Sequence, residues 1–228
     1  MANSLGALAG DLILQEALSL VFTQRPILKS ISLNLSDDMV AIHRGTRVRK
    51  NHTTRRDAFR SVGVPLAAVW GRGGVEHVDE GLPPRVVPAK FVPRAKFDGS
   101  AALVKFFPGM SESVIDGLAA SGCGGIVLEG TGLGHVSEAV SVSVRKFVKK
   151  GRFAGMTSQC LDGRVNLNVY ETGRDLLDAG VVPLEDMLPE TALVKLMWAL
   201  ANSRTSAELR KVMTTNLVDE VTDRTFPE

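Results

Sequence analysis

Two periods of apolar spacing run along this chain, and they divide it. After residue 99, short apolar runs alternate with stretches repeating every three to four residues. Ala101 to Phe107 is a run of strand length interrupted by Lys105, and Pro108-Gly109 turns the chain. Ser111 can N-cap a helix to about Ser121, with Gly122 past its end. Gly125-Ile126-Val127-Leu128 is a second buried strand. A glycine-rich turn follows, and Ser137 opens a helix with Val140, Val144, Phe147 and Val148 on one face, closed by Gly151. Phe153 to Gln159 supplies a third strand. Strand and helix in alternation, joined by short turns, predict a parallel sheet. Three helices should end the chain: one opened by a capping box at Thr172-Gly173-Arg174-Asp175 and stopped by Gly180, one starting at Pro189, and one capped by Thr205 with Glu208.

Before residue 99 the pattern is less regular. Leu14, Ala17, Leu18 and Val21 have helical spacing, ended by Pro26. Met39 to Ile42 suits a strand, Gly45 a turn, and Thr46 to Arg49 a return strand. Gly71 to Lys96, with Gly71, Gly73 and Gly74 at its start and several prolines after them, reads as an extended interdomain linker. The boundaries expected are a divergent, unassigned segment 1–35, a first-domain portion 36–70, a linker 71–98 and a C-terminal α/β domain 99–228.

Composition changes this picture little. The 228 residues are 44% hydrophobic and 23% charged, which is globular rather than disordered. No run reaches membrane-span length, and no Lys or Arg precedes Arg25, so a basic signal-peptide start is missing. Two cysteines make no disulfide scaffold. A soluble, cytoplasmic, reducing-compartment protein without membrane partners is expected. The net charge of +2 names no partner, but Arg44 to Arg60 holds seven basic residues and one acid, Asp57.

Candidate chemistry falls in two places. Gly130-Thr131-Gly132-Leu133-Gly134 lies between a strand and a helix, where backbone N–H groups can meet a phosphate. Its G-x-G-x-G spacing, Glu129 before it, and Ser158-Gln159 where a ribose-binding acid would stand all favour a loop for a small ligand instead. The basic segment has three readings: a solvated face, an RNA surface with only Phe59 for stacking, or a setting for a catalytic lysine among like charges. His43, His52, His77 and His135 show no paired metal spacing, and Cys123 and Cys160 read as buried thiols near strand ends.

The run Ser36-Asp37-Asp38 through His43-Arg44-Gly45-Thr46-Arg47-Val48-Arg49-Lys50-Asn51-His52-Thr53-Thr54-Arg55-Arg56-Asp57-Ala58-Phe59-Arg60-Ser61 resembles the L-asparaginase superfamily. More narrowly, it is similar to the D subunit of archaeal glutamyl-tRNA(Gln) amidotransferases. Ile126 to Val136, Met156 to Cys160 and Asp186 to Trp198 carry the same resemblance, which spans roughly residues 35 to 217. It implies an asparaginase-like α/β fold, with a three-layer parallel-sheet second domain preceded by a truncated remnant of the first.

The resemblance also implies a function: hydrolysis of glutamine as amide donor, with ammonia passed to the amidotransferase's E subunit. That partner would use ATP and Mg to amidate Glu-tRNA(Gln), so this chain would bind no cofactor itself. Lys50 falls at the catalytic lysine, and Gly132, Gly134 and His135 at a substrate loop facing the neighbouring site of a homodimer. The family's threonine nucleophile motif, Thr-Gly-Gly-Thr, and its Gly-Thr-Asp-Thr motif do not occur in the 228 residues. An incomplete half of the D subunit is therefore expected. The alternatives are an L-asparaginase and a non-catalytic module that binds the E subunit or tRNA.

Overall fold

The computed structural model describes residues 39–55, 57–82 and 94–223; the helix expected near residues 14–21 lies outside them. The chain forms two compact units, dividing between Phe91 and Val92.

The first unit is all-β among its described residues. Strands β1 (Val40–Ile42), β4 (Ala68–Gly71) and β5 (Gly74–Val78) form an antiparallel sheet in the order β1-β4-β5. Strands β2 (Val48–Lys50) and β3 (Phe59–Ser61) form a separate antiparallel pair. The strand expected to return on β1 therefore pairs elsewhere. Val48 lies opposite Ser61 and Lys50 opposite Phe59, while β1 takes Ala68 to Trp70. A small apolar core of Ile42, Ala67, Ala68 and Leu82 explains this, because the β1–β4 register buries Ile42 beside Ala68. Within the stretch read as a linker, Gly74 adopts φ 109° and folds β5 back on β4.

Charge is buried in this unit too. The Arg44 guanidinium, inside the protein, pairs with Asp79 and donates to the Pro65 carbonyl at 3.0 Å. Arg47 is fully buried.

The second unit is a three-layer α/β sandwich. Strands β6 (Ala101–Lys105), β7 (Gly125–Gly130), β8 (Phe153–Ser158) and β9 (Val182–Pro183) form an all-parallel sheet in that order. Every residue of β7 is buried. Side chains alternate along a strand, so Ile126 and Leu128 face one layer while Val127 faces the other. The first layer holds α1 (Ser113–Ala120), α2 (Glu138–Lys149) and α3 (Glu171–Asp178), through Ile115, Val140, Val144, Phe147 and Leu176. The second holds α4 (Pro189–Asn202) and α5 (Ser206–Thr214), through Ala192, Leu196, Ala199 and Met213.

The helix ends follow local chemistry with two exceptions. Ser137 caps α2 by accepting from the Val140 N–H, and Thr205 caps α5 by accepting from the Glu208 N–H at 3.1 Å. Pro189 is the first residue of α4. For α1 the N-cap is Glu112, one residue past the expected Ser111, whose hydroxyl accepts from the Ser113 N–H at 3.2 Å instead. For α3 the N-cap is Tyr170 without a side-chain cap, so Thr172 lies inside the helix and the expected capping box does not form. Gly173, within it, lets the helix approach the Leu167 carbonyl, which an added Cβ would meet at 2.4 Å. No helix among the described residues is long and apolar enough to cross a membrane.

Candidate functional site

The carboxyl edge of the second unit's sheet gathers polar groups from three neighbouring strands. Lys105, Glu129 and Thr157 lie side by side in register. The Glu129 side chain is 5% exposed and accepts from Lys105 Nζ at 3.1 Å. Lys105 is 60% exposed at its side chain, so the pair joins a buried carboxylate to the surface. Gln159, one residue past β8, staples the edge: its Nε2 donates to the carbonyls of Phe106 (2.5 Å) and Glu129 (3.0 Å), and its N–H to Gly130 (2.8 Å). Thr157 Oγ1 donates to the buried Leu128 carbonyl at 2.8 Å.

The glycine loop sits above this edge and is closed on itself. Thr131 N–H donates to the His135 carbonyl at 2.9 Å, and the N–H groups of Gly134 and His135 donate to the Thr131 carbonyl. Three donors that could have cradled a phosphate are thus consumed internally, which agrees with the non-nucleotide reading. Ser158 Oγ and the Asn166 N–H pin the carbonyls of Gly132 and Leu133. Gly134 is required twice over: its φ is 107°, and a Cβ there would meet Met156 at 2.9 Å and Leu167 at 3.0 Å.

His135 projects from the end of this loop, half-buried, with its ring edge-on to Tyr170 at 4.3 Å between centroids and 70° between planes. Tyr170, the chain's single tyrosine, is 52% exposed. The loop thus presents an imidazole and a phenol side by side at a strand edge, a suitable rim for a small polar ligand. The hydroxyls of this edge bond backbone: Thr131 Oγ1 donates to the His135 carbonyl at 3.4 Å and Ser158 Oγ to that of Gly132 at 2.6 Å.

Of the residues expected at a site, Gly132, Gly134 and His135 share this loop. Gly132 is exposed and Gly134 buried. Lys50 belongs to the first unit. It ends β2, exposed, with its ammonium 5.8 Å from the Phe59 ring centroid across the hairpin. Arg49 lies directly opposite Arg60 in the same hairpin. Sequence reasoning missed Gln159 and Tyr170 as site-building residues. The signal for Gln159 was its position just past a parallel strand; Tyr170 lies far from the loop in sequence and carried none.

His43, His52 and the two thiols are not part of this loop's imidazole–phenol pair. His43 is buried, its Nδ1 2.8 Å from Ser61 Oγ, and burial holds its imidazole below the usual pKa. His52 Nδ1 accepts from the N–H groups of Thr54 and Arg55, each at 3.1 Å. Cys123 is buried and donates to the Gly125 carbonyl at 3.1 Å. Cys160, expected to be buried, is exposed, because β8 ends at Ser158 and the thiol falls in the turn beyond it.

Comparison with known proteins places this arrangement. Residues 101–213 match the glutaminase/asparaginase C-terminal domain. The chain is 50% identical over 193 residues to the D subunit of glutamyl-tRNA(Gln) amidotransferase from Pyrococcus furiosus, covering 84% of this chain and 44% of that protein. The same protein of Sulfurisphaera tokodaii is 49% identical over 195 residues, covering 85% and 43%. The chain thus spans less than half the length of these curated relatives. Among solved structures, the thermostable L-asparaginase from Thermococcus kodakarensis superposes with a TM-score of 0.71 at 35% identity, covering 81% of this chain and 56% of that one. L-asparaginase I from Vibrio cholerae gives 0.71 at 26% identity, covering 82% and 56%. By sequence and by fold, the chain belongs to the L-asparaginase superfamily and is similar within it to the D subunit of archaeal glutamyl-tRNA(Gln) amidotransferases.

Proposed function

We propose that this chain is part of the glutaminase component of a tRNA-dependent amidotransferase that forms Gln-tRNA(Gln) from Glu-tRNA(Gln). The observation that carries the reading is 50% identity over 193 residues to a protein named as the D subunit of that enzyme. In this reading glutamine donates its amide, a threonine hydroxyl attacks it, and Lys50 takes the hydroxyl proton. Ammonia then passes to the E subunit, which consumes ATP with Mg. Lys50 lies exposed at the end of β2 with its ammonium over the Phe59 ring, so in this reading it must lose a proton before it can take one from the threonine. The loop Gly132 to His135 would serve the neighbouring protomer's site in a homodimer.

A second reading has its own observation. Neither threonine motif of the family occurs in these 228 residues, which favours a non-catalytic module that docks on the E subunit or tRNA. One experiment separates them. The purified chain is mixed with a polypeptide carrying the Thr-Gly-Gly-Thr portion of the D subunit, and ammonia release is followed with glutamine and with asparagine. The expected result is no release by the chain alone, release from glutamine in the mixture, and loss of release with Lys50→Ala. A mixture that stays inactive while the chain still binds the E subunit selects the docking module. Release from asparagine over glutamine selects an L-asparaginase.

A further inference from the structure

On the far side of the second unit from the sheet's carboxyl edge, a cavity of about 80 Å³ opens between the start of β8 and the first turn of α5. It is lined by Val148, Gly151, Arg152, Phe153, Ser206, Leu209 and Arg210. A single water needs roughly 10–15 Å³ on the same measure, so the space admits something larger. Two of its seven lining residues are arginines and none is acidic.

The two guanidinium groups are held differently. Arg210 Nη2 donates to the Gly180 carbonyl at 2.6 Å, which fixes its plane against the turn after α3. Arg152 stacks on the Phe147 ring, with its Cζ 5.2 Å from the centroid. Its Nη1 is removed from solvent and has no hydrogen-bond acceptor. A donor on a permanent cation, without a protein acceptor, calls for a water or an anion, and of the two only an anion also answers the charge.

The helix end adds to this. Ser206 is the first residue of α5, and Thr205 caps the Glu208 N–H, which leaves the N–H groups of Ser206 and Ala207 without intrahelical partners. They carry the positive end of the helix dipole. Glu208, the acid of that turn, does not line the cavity; it folds back over the helix start, where its Oε2 accepts from the Arg204 N–H at 2.8 Å. Lys149 and Lys150, at the end of α2, add positive charge beside Gly151 and Arg152.

The geometry points to an oxyanion-binding pocket, formed by Arg152, Arg210 and the first turn of α5, that takes one phosphate group, either free phosphate or a phosphomonoester. A guanidinium fork matches two oxygens of a tetrahedral oxyanion, two arginines line this cavity, and it has room for one such group. The site lies within the second unit and does not depend on Lys50 or on the reading proposed above.

The test is a titration of the full chain with inorganic phosphate, followed by calorimetry and by thermal unfolding, at ionic strength matched with chloride. The expected result is saturable binding that raises the unfolding temperature beyond the chloride control. Arg152→Met keeps an unbranched apolar side chain at the position and removes the fork; it should weaken phosphate binding at least tenfold. Ser206→Asp, favourable at a helix start, places a carboxylate in the pocket and should abolish the phosphate response in a folded protein. A parallel titration with glycerol 3-phosphate tells the two sources apart by which binds more tightly. Phosphate acting no differently from chloride, or binding unchanged in Arg152→Met and Ser206→Asp, would overturn the assignment.

Discussion

Removing the carboxylate of Glu220 should unfasten the end of the second unit. Its side chain is 1% exposed and accepts from Lys195 Nζ at 2.5 Å, while Lys195, on α4, is 7% exposed and also donates to the Thr215 carbonyl at 2.6 Å. The same carboxylate accepts from the N–H groups of Leu217 (3.1 Å) and Val218 (2.6 Å). Burial raises the Glu220 pKa, but the hydrogen bonds from Lys195 and from the Val218 N–H outweigh it and hold the carboxyl below its usual 4.5. Glu220→Ala removes the charge partner of the Lys195 ammonium, which keeps the Thr215 carbonyl, and takes one acceptor from the Leu217 and Val218 N–H groups. Breaking a buried pair from one side costs about 3–5 kcal/mol, and the acceptor lost to the two amides falls largely within that figure. At roughly 2–4 °C per kcal/mol for a chain of this size, the midpoint should drop by on the order of 10 °C. The assay is urea unfolding followed by Trp198 fluorescence in a Trp70→Phe background, since Trp198 sits on α4 and Trp70 in the first unit. The double variant Lys195→Met with Glu220→Ala should be no less stable than Glu220→Ala, because the unpaired ammonium is gone. The sign with pH follows from the lowered pKa. The stabilisation is present above the unfolded value and is lost as pH falls through the folded one, so Glu220→Gln should flatten acid unfolding below about pH 4.5. If Glu220→Ala unfolds within about 1 kcal/mol of the parent protein, the buried-pair reasoning is refuted.

Gly134→Ala should cost about 2–4 kcal/mol, from a left-handed backbone and from contact with Met156 and Leu167, and its thermal midpoint measures this. Ser137→Ala should cost about 1 kcal/mol by removing the α2 cap, whereas Ser137→Asp should retain most of it in the same unfolding assay. His43, with its pKa lowered by burial, resists charging in the folded state; stability of the first unit should therefore fall as pH drops below the unfolded imidazole value near 6.5. His43→Gln should remove that slope, measured by Trp70 fluorescence in a Trp198→Phe background.

Where local chemistry and long-range packing agreed, the sequence was enough. The parallel strands at Ala101, Gly125 and Phe153 are apolar runs bounded by glycines and caps, and any sheet that buries them on both faces needs helices on both sides. Ser137, Pro189, Thr205 and Gly180 act within a turn of where they stand, so their effects were legible without tertiary contacts. The glycine turn could be placed between a strand and a helix because that setting is local. Tertiary structure alone decided the rest. The hairpin containing Lys50 pairs β2 with β3 and not with β1, because strand partners are chosen by which residues bury together, and Ile42 found Ala68. The short strand β9 exists only because β8 offers it an edge. Tyr170 meets His135 across 35 residues, and Glu220 meets Lys195 across 25, distances over which neither periodicity nor spacing carries information. The pairing of Arg152 with Arg210 around one cavity is of the same kind: each is an ordinary basic residue in the chain, and only the approach of α5 to β8 makes them face one space.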